Sequence, residues 1–153
     1  VSKSFLERCP DDLPLMMDYR TFSKNESRYN TPPTGPIYVF MLMLKWIEQQ
    51  GGLSALQARN ERKAKNLYDV IDESEFYLGF AEKPYRSLMN VTFRPSNHTL
   101  QDIFLQSALH EGFSDLKGHR ILGGLRASMY NAFPEAGSRA FADFMRNFAR
   151  THG

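Results

Sequence analysis

A chain of 153 residues with 42% hydrophobic content is long enough to bury the core of one ordinary domain. Its formal net charge of +2 at pH 7 argues against a nucleic-acid or anionic-membrane surface, which normally needs a large basic excess. The single cysteine, Cys9, cannot form an internal disulfide, so nothing indicates secretion and the cytoplasm is the predicted location.

The residues before position 50 predict a strand end, a loop and one long helix. The apolar run Leu13–Tyr19 is typical of the end of a buried strand, and the polar residues 20–29 predict a loop. A cluster of prolines over 32–36 indicates a helix start. Ile37–Ile47, the most hydrophobic stretch, predicts a buried helix, since Lys45 interrupts it well short of the roughly 20 apolar residues that span a bilayer.

A second long helix is predicted from Leu53 to Ile71. Gly51-Gly52 ends the helix before it, as a left-handed C-cap does. Side chains that recur at steps of three and four share one stripe of the second helix, namely Leu53, Leu56, Asn60, Ala64, Leu67 and Ile71. Charged residues crowd its other faces, so Lys63 and Lys65 are predicted to lie on the solvated surface.

Strands and helices alternate in the rest of the chain. Period-two patterns predict strands over Phe76–Phe80 and Leu88–Arg94. Thr99, with Asp102 three residues later, resembles a capping box at the start of a helix that ends near Gly112.

The C-terminal part predicts two more strand ends and a last helix. The strand ends are Leu116–Gly118 and Leu125–Tyr130, and Pro134 opens the helix, whose core stripe is Phe141, Phe144, Met145 and Phe148. The whole pattern predicts an α/β fold, with a small α/β domain of about 100 residues beginning near Gly51-Gly52.

The stretch Lys117–Asn131 has the composition of an anion site. It combines cationic or potentially cationic side chains, among them His119, Arg120 and Arg126, with three glycines. Glycines allow close backbone approach to a ligand, and guanidinium groups match carboxylate or phosphate oxygens two at a time. The alternative from composition alone is a solvated turn with outward-pointing arginines.

Several motifs in this chain occur together in one known family. They are Gly118-His119-Arg120, Gly123-Gly124, Arg126-Ala127-Ser128 and Tyr130-Asn131-Ala132 near the end, Asn25, Ser27 and Asn30-Thr31-Pro32-Pro33 near the start, and Trp46, Gly51-Gly52, Lys63-Ala64, Leu67-Tyr68 and Arg86–Phe93 between them. In order and spacing they resemble the phosphoserine aminotransferase family, pyridoxal-phosphate enzymes of the aspartate-aminotransferase fold type.

The resemblance implies a fold and a domain division. Residues 1–50 would be the end of the large cofactor domain plus the interdomain helix, and residues 51–153 would be the C-terminal small α/β domain. The chain would then be the C-terminal portion of an enzyme that exchanges an amino group between glutamate and 3-phosphohydroxypyruvate, giving phosphoserine and 2-oxoglutarate in serine biosynthesis. Whether a related phosphorylated substrate of pyridoxine biosynthesis is also used stays open.

The same resemblance implies roles for five residues. Arg126 would bind the substrate α-carboxylate, and His119 with Arg120 would contribute to the substrate phosphate pocket. Asn30 and Thr31 would bind the phosphate of pyridoxal 5'-phosphate in the partner subunit of a homodimer, the alternative being that they only cap the next helix. No metal site is predicted.

No catalytic residue is predicted within the chain. In the family the lysine that forms the Schiff base with the cofactor would lie upstream of residue 1, and the isolated chain is expected to be inactive and not to retain the cofactor. Lys45, Lys63, Lys65 and Lys117 are rejected as substitutes, the middle two because they are predicted on a helix surface.

Two other functions remain open from the residues. One is a stand-alone, non-enzymatic module that binds a small phosphorylated or carboxylated ligand through the glycine-rich stretch. The other is a different aminotransferase of the same fold type, which would differ in substrate. Nucleic-acid and membrane partners are not predicted.

Overall fold

A computed structural model describes all residues from 1 to 153. They form two compact units, Val1–Trp46 and Ile47–Gly153, which are described separately. The prediction that the division is one between a large-domain tail and a small domain stays a prediction.

The first unit contains three helices: α1 (Lys3–Glu7), α2 (Tyr19–Lys24) and α3 (Thr34–Gln49), the last of which continues three residues into the second unit. Asp18 begins α2 because its carboxylate accepts a hydrogen bond from the backbone N–H of Arg20 at 2.9 Å. The expectation of a strand end over Leu13–Tyr19 is therefore wrong, as is that of a loop throughout 20–29. An N-cap and turn bonds to Pro14 O take the place of strand pairing.

The apolar helix α3 is present where the prolines predicted it, but it is not buried. None of its residues is buried in this chain, and Phe40 is 63% exposed. The prediction of burial came from composition alone. A helix that is apolar around its circumference needs neighbours on every side, and the short helices α1 and α2, which bury no residue of their own, do not provide them.

The second unit is α/β, as predicted. Its elements are α4 (Gly52–Glu73), β1 (Tyr77–Gly79), a 3₁₀ turn (Lys83–Tyr85), β2 (Asn90–Pro95), α5 (Leu100–His110), β3 (Lys117–His119), β4 (Gly123–Ser128) and α6 (Glu135–His152). Gly51 and Gly52 both have positive φ, at 92° and 76°, so the predicted break between the two long helices is confirmed.

The four strands form one antiparallel sheet in the order β1-β2-β4-β3. Alternation along β2 and β4 gives the sheet one apolar face, formed by Val91, Phe93, Leu125 and Ala127, all buried. That face and helices α4, α5 and α6 enclose the hydrophobic core. The opposite face carries the polar residues of the same two strands.

Phe104 of α5 lies at the centre of the core and is fully buried. Its ring contacts five other aromatic rings, with centroid separations from 5.0 to 6.3 Å: those of Tyr77, Phe93, Phe141, Phe144 and Phe148. Most of these contacts have edge-to-face geometry, which is the favoured arrangement for aromatic pairs. The predicted stripe of α6 is thereby confirmed as core.

Three details of the predicted helices are wrong. Lys63 is fully buried rather than on the surface of α4, and Leu53, placed on the buried stripe, is 77% exposed in the first turn. Thr99 makes no side-chain cap, because its hydroxyl donates to Asn97 Oδ1 at 2.8 Å instead.

Candidate functional site

The glycine-rich stretch forms the hairpin between β3 and β4. His119 pairs with Gly123, so residues 120–122 make the turn. Gly123 and Gly124 have φ values of 70° and 68°, which other residues rarely adopt. A Cβ at Gly118 would collide with the carbonyl of Gly123, and one at Gly124 would lie 2.6 Å from the Phe80 ring. The chain's own packing therefore accounts for these glycines without a ligand.

His119 and Arg120 lie at the exposed end of this hairpin. The Nδ1 atom of His119 accepts a hydrogen bond from the backbone N–H of Ile121 at 3.3 Å. That bond requires an unprotonated Nδ1, which leaves Nε2 as the nitrogen that can face a ligand. The Arg120 guanidinium forms no ion pair within the chain, so both groups are accessible to an external anion.

Arg126 lies in the middle of β4, on the polar face of the sheet. It stands opposite Thr92 of β2, and its backbone N–H donates to Leu116 O at 2.8 Å. Next to it on the same face, Ser128 Oγ donates to Asn90 Oδ1 at 3.0 Å. The Arg126 side chain is exposed and has no carboxylate partner in the chain, so its planar fork can accept one from a ligand.

The three cationic residues occupy two places along the β3–β4 hairpin. His119 pairs with Gly123, three residues before Arg126 on β4. Because a strand rises about 3.3 Å per residue, these two places lie roughly 10 Å apart along the hairpin. The hairpin thus offers two separate cationic positions rather than one cluster.

A cleft of about 330 Å³ borders Arg126. It is lined by residues 112–116, by residues 126–129 of β4 and its exit, and by Phe133, Ser138 and Phe141. Ser138 is fully buried, and its hydroxyl donates to Glu135 O at 2.8 Å while accepting from Asn66 Nδ2 at 2.9 Å. Because the Ser138 hydroxyl both donates and accepts a hydrogen bond within the chain, this wall of the cleft has a fixed position.

Asn30 and Thr31 belong to the first unit, and both are exposed. The Asn30 amide makes only a 3.9 Å contact with Met16 Sδ, and no hydrogen bond joins either side chain to the first turn of α3. The alternative that they cap the helix is therefore wrong: the Thr34 hydroxyl, which bonds to Pro32 O, lies at that helix start instead. Apart from the weak contact of Asn30 with Met16, their amide and hydroxyl groups face no partner in the chain.

Sequence reasoning missed a set of hydrogen bonds between α4 and the residues that follow β4. Lys63 Nζ donates to Met129 O at 3.1 Å and to Tyr130 O at 2.7 Å, and Asn60 Nδ2 donates to Asn131 Oδ1 at 2.8 Å. Burial lowers the pKa of Lys63, and Arg59 nearby acts in the same direction. The signal was available, since Lys63 is three residues after Asn60 and four before Leu67, both on the predicted stripe.

Two other kinds of site find no support in the structure. No group of three or more His, Cys, Asp or Glu side chains is placed to hold a metal ion. None of the helices has both the length and the apolar character needed to cross a membrane.

Comparison with known proteins places these features in a family context. The family model for class-V aminotransferases matches residues 12–139. A phosphoserine aminotransferase of Geobacillus kaustophilus is 54% identical over 146 residues, which cover 95% of this chain and 41% of that relative. The chain thus spans less than half the length of the curated relatives it matches.

Solved structures agree with the sequence relatives. A phosphoserine aminotransferase from Bacillus circulans subsp. alkalophilus superposes with a TM-score of 0.88 at 45% identity, covering 100% of this chain and 43% of its own. The pyridoxal-phosphate-bound phosphoserine aminotransferase of Trichomonas vaginalis gives a TM-score of 0.81 at 37% identity, with 95% and 42% covered. The expected aspartate-aminotransferase type of fold is therefore confirmed.

Proposed function

The chain belongs to the class-V aminotransferase family, and on that premise we propose that it is the C-terminal part of a phosphoserine aminotransferase. The reaction exchanges an amino group between glutamate and 3-phosphohydroxypyruvate. The observation that carries this proposal is the pair of separate cationic positions on the β3–β4 hairpin, Arg126 within β4 and His119-Arg120 at the exposed end. A substrate with a carboxylate at one end and a phosphate at the other needs two such positions to be held in a single orientation.

Arg126 is the proposed carboxylate-binding residue. Its guanidinium can make two parallel hydrogen bonds to a carboxylate, and no acidic side chain of the chain competes for it. Both amino-acid and keto-acid substrates carry this carboxylate, so one arginine serves both half-reactions. Arg126 belongs to a paired strand and not to a loop, so the backbone that carries its guanidinium group has a fixed position.

His119 and Arg120 are the proposed phosphate-binding residues. Arg120 carries a permanent positive charge, and the Nε2 atom of His119 is free to donate, because Nδ1 is already an acceptor. His119 and Arg120 therefore provide the second of the two cationic positions that a substrate with two anionic ends requires.

Pyridoxal 5'-phosphate is the proposed cofactor, and the donors of the first unit fit part of its requirement. Asn30 and Thr31 present an amide and a hydroxyl, neutral donors that suit phosphate oxygens, and within the chain Asn30 makes only the weak 3.9 Å contact with Met16 Sδ. When bound, the cofactor supplies the electron sink that labilises bonds at the substrate α-carbon. In this chain the two residues would only hold the cofactor's phosphate.

The lysine that works with the cofactor is proposed to lie outside these 153 residues. Lys63 is unsuited to the task because its Nζ is buried and already donates to two backbone carbonyls. The sequence prediction rejected Lys63 because it was expected on the surface of the helix. The structure shows it buried, and it is rejected because its Nζ is already bonded. The homodimer and the cytoplasmic location stay predictions.

The proposal is tested by assaying transamination for the 153-residue chain and for the full-length protein that contains it. Each is supplied with pyridoxal 5'-phosphate, glutamate and 3-phosphohydroxypyruvate, and bound cofactor is followed by its visible absorbance. We expect binding and turnover only for the full-length protein. Turnover by the 153-residue chain would show that the Schiff-base lysine lies within it. If neither protein binds the cofactor or shows turnover, the alternative of an anion-binding module is favoured.

A further inference from the structure

Lys63 is the one fully buried charged side chain of the core. No carboxylate lies within ion-pair distance of its Nζ, which donates hydrogen bonds to the backbone carbonyls of Met129 and Tyr130. Removing an ammonium group from water costs several kcal/mol, and carbonyl dipoles offset only part of that cost. Lys63 therefore depends on these two carbonyls as the partners of its buried ammonium group.

The two carbonyls that Lys63 binds belong to the exit of the strand that carries Arg126. Met129 and Tyr130 are the third and fourth residues after Arg126, beyond the last pairing between β4 and β3. On the other side, Met129 N–H donates to Met89 O at 2.7 Å. The exit is therefore bonded on one side to the residue that precedes β2 and on the other side to α4, and Lys63 provides the charge-assisted part of the second attachment.

Asn60 extends the same attachment by one residue. Its amide nitrogen reaches Asn131 Oδ1 at 2.8 Å, whereas its own Oδ1 is buried without a partner. Asn60 alone is thus an incomplete anchor, and Tyr130 O receives its stronger bond, at 2.7 Å, from Lys63. Lys63 is the principal link between α4 and the residues that follow β4.

Resting on the proposed function of Arg126, we propose that Lys63 is a positioning residue for the substrate carboxylate, acting through the exit of β4. An arginine that binds a carboxylate bidentately must be held to within about half an ångström to be effective. The Arg126 side chain has no partner in the chain that could orient it, so its position follows from its backbone. Strand pairing holds that backbone at Arg126 itself, and Lys63 holds the exit of the strand three and four residues later.

The test compares Lys63→Met with Lys65→Met. Methionine fills the same space but leaves the carbonyls of residues 129 and 130 unpaired by α4, whereas Lys65 is a solvated lysine paired with Asp69 on the same helix. In the full-length protein we expect K63M to raise the KM for glutamate about tenfold or more, with kcat changed less than about twofold, because binding and not chemistry is affected. K65M should leave both constants unchanged.

A double-mutant cycle separates positioning from general destabilisation. In an Arg126→Ala background, K63M should change the KM for glutamate less than about twofold, because the residue it positions is gone. An equal KM increase in both backgrounds, or none in the wild-type background, would overturn the proposal. If K63M does not fold, Lys63→Gln, which keeps an N–H donor group without the charge, replaces it.

Amide hydrogen exchange on the full-length protein keeps this test independent of the proposed function, because it does not measure activity. K63M should speed exchange at Arg126 and Met129 about tenfold or more relative to Val91, and K65M should not. If the full-length protein proves not to be an aminotransferase while these amides still respond, the proposed function fails and the attachment of β4 stands. Unchanged exchange at both amides would overturn the role of Lys63 directly.

Discussion

Phe40 and Phe104 carry the same side chain in opposite surroundings. Phe40 lies on α3 with 63% of its surface exposed, whereas Phe104 is fully buried among five aromatic rings of the second unit. The helices that carry them, α3 and α5, are both apolar. Only the second unit has a sheet and further helices that can cover an apolar helix. The comparison teaches that apolar composition predicts a helix's need for burial, while the rest of the unit decides whether that need is met.

The largest effect is expected for Phe104→Ala, with Phe40→Ala as its control. Removing the Phe104 ring should lower the free energy of unfolding of the second unit by about 3–5 kcal/mol, because the lost contacts leave a cavity. F40A should change it by no more than about 0.5 kcal/mol. Urea unfolding followed by near-ultraviolet circular dichroism of the aromatic cluster measures both, and equal effects would remove the distinction between the units.

A smaller effect is expected for Tyr77→Phe, with Tyr38→Phe on exposed α3 as its control. Tyr77 OH donates to Met145 O at 2.8 Å inside the core, so its loss should cost about 1 kcal/mol at pH 7. Y38F should cost nothing measurable, since Tyr38 is 58% exposed. A loss of similar size in both variants would contradict the assigned burial.

The same pair predicts a pH dependence. Burial raises the pKa of Tyr77 above its ordinary value of 10, so the unfolded chain releases this proton first. The contribution of Tyr77 to stability is complete below pH 10 and falls by about 1.4 kcal/mol per pH unit above it. The advantage of wild type over Y77F should therefore shrink between pH 10 and 11 in urea titrations, and a constant difference would refute this.

The smallest effect concerns Asp72, whose carboxylate binds the Arg86 guanidinium through both oxygens at 2.8 and 2.6 Å. Arg86, assisted by Lys83, lowers the pKa of Asp72 to about 2. Because the pKa is depressed, the stabilisation is present above pH 3.8 and is lost as pH falls through 2. Asp72→Asn should cost about 0.5–1 kcal/mol at pH 7, the upper range for partly exposed pairs, and almost nothing at pH 2.

Asp11→Asn in the first unit is the matched control for that pair. Asp11 also binds an arginine, Arg20, at 2.8 Å, but its side chain is fully exposed. No measurable change in unfolding at either pH is expected, because a solvated pair is screened. If D11N and D72N destabilise the chain equally, partial burial is not what makes the Asp72 pair effective.

Most of the second unit follows from sequence periodicity. The stripes of α4 and α6, the alternation in β2 and the glycine break at Gly51 are local patterns, and each predicts an element found in the structure. Burial of α3 could not be predicted locally, because it depends on what surrounds the helix. The position of Lys63 was missed because charge was given more weight than helical spacing, although spacing placed it on the buried stripe.

The candidate site could be predicted as residue types but not as an arrangement. His119, Arg120 and Arg126 were singled out by their charge and by family resemblance, and their roles stay proposals. How far apart they lie along the hairpin depends on the register of β3 against β4, which composition does not reveal. The glycines around them were assigned to ligand approach, whereas Gly118 and Gly124 lie against the chain's own atoms.

The central claim is that Arg126 binds the substrate carboxylate, and Arg126→Ala in the full-length protein tests it most directly. Arg146→Ala, an exposed arginine of α6 paired with Asp143, is the control. We predict that R126A lowers kcat/KM about 10²–10³-fold for both glutamate and 3-phosphohydroxypyruvate, because each loses a bidentate charged contact, while R146A changes neither. If R126A retained activity within a few fold of wild type on both substrates, Arg126 would not be the carboxylate-binding residue.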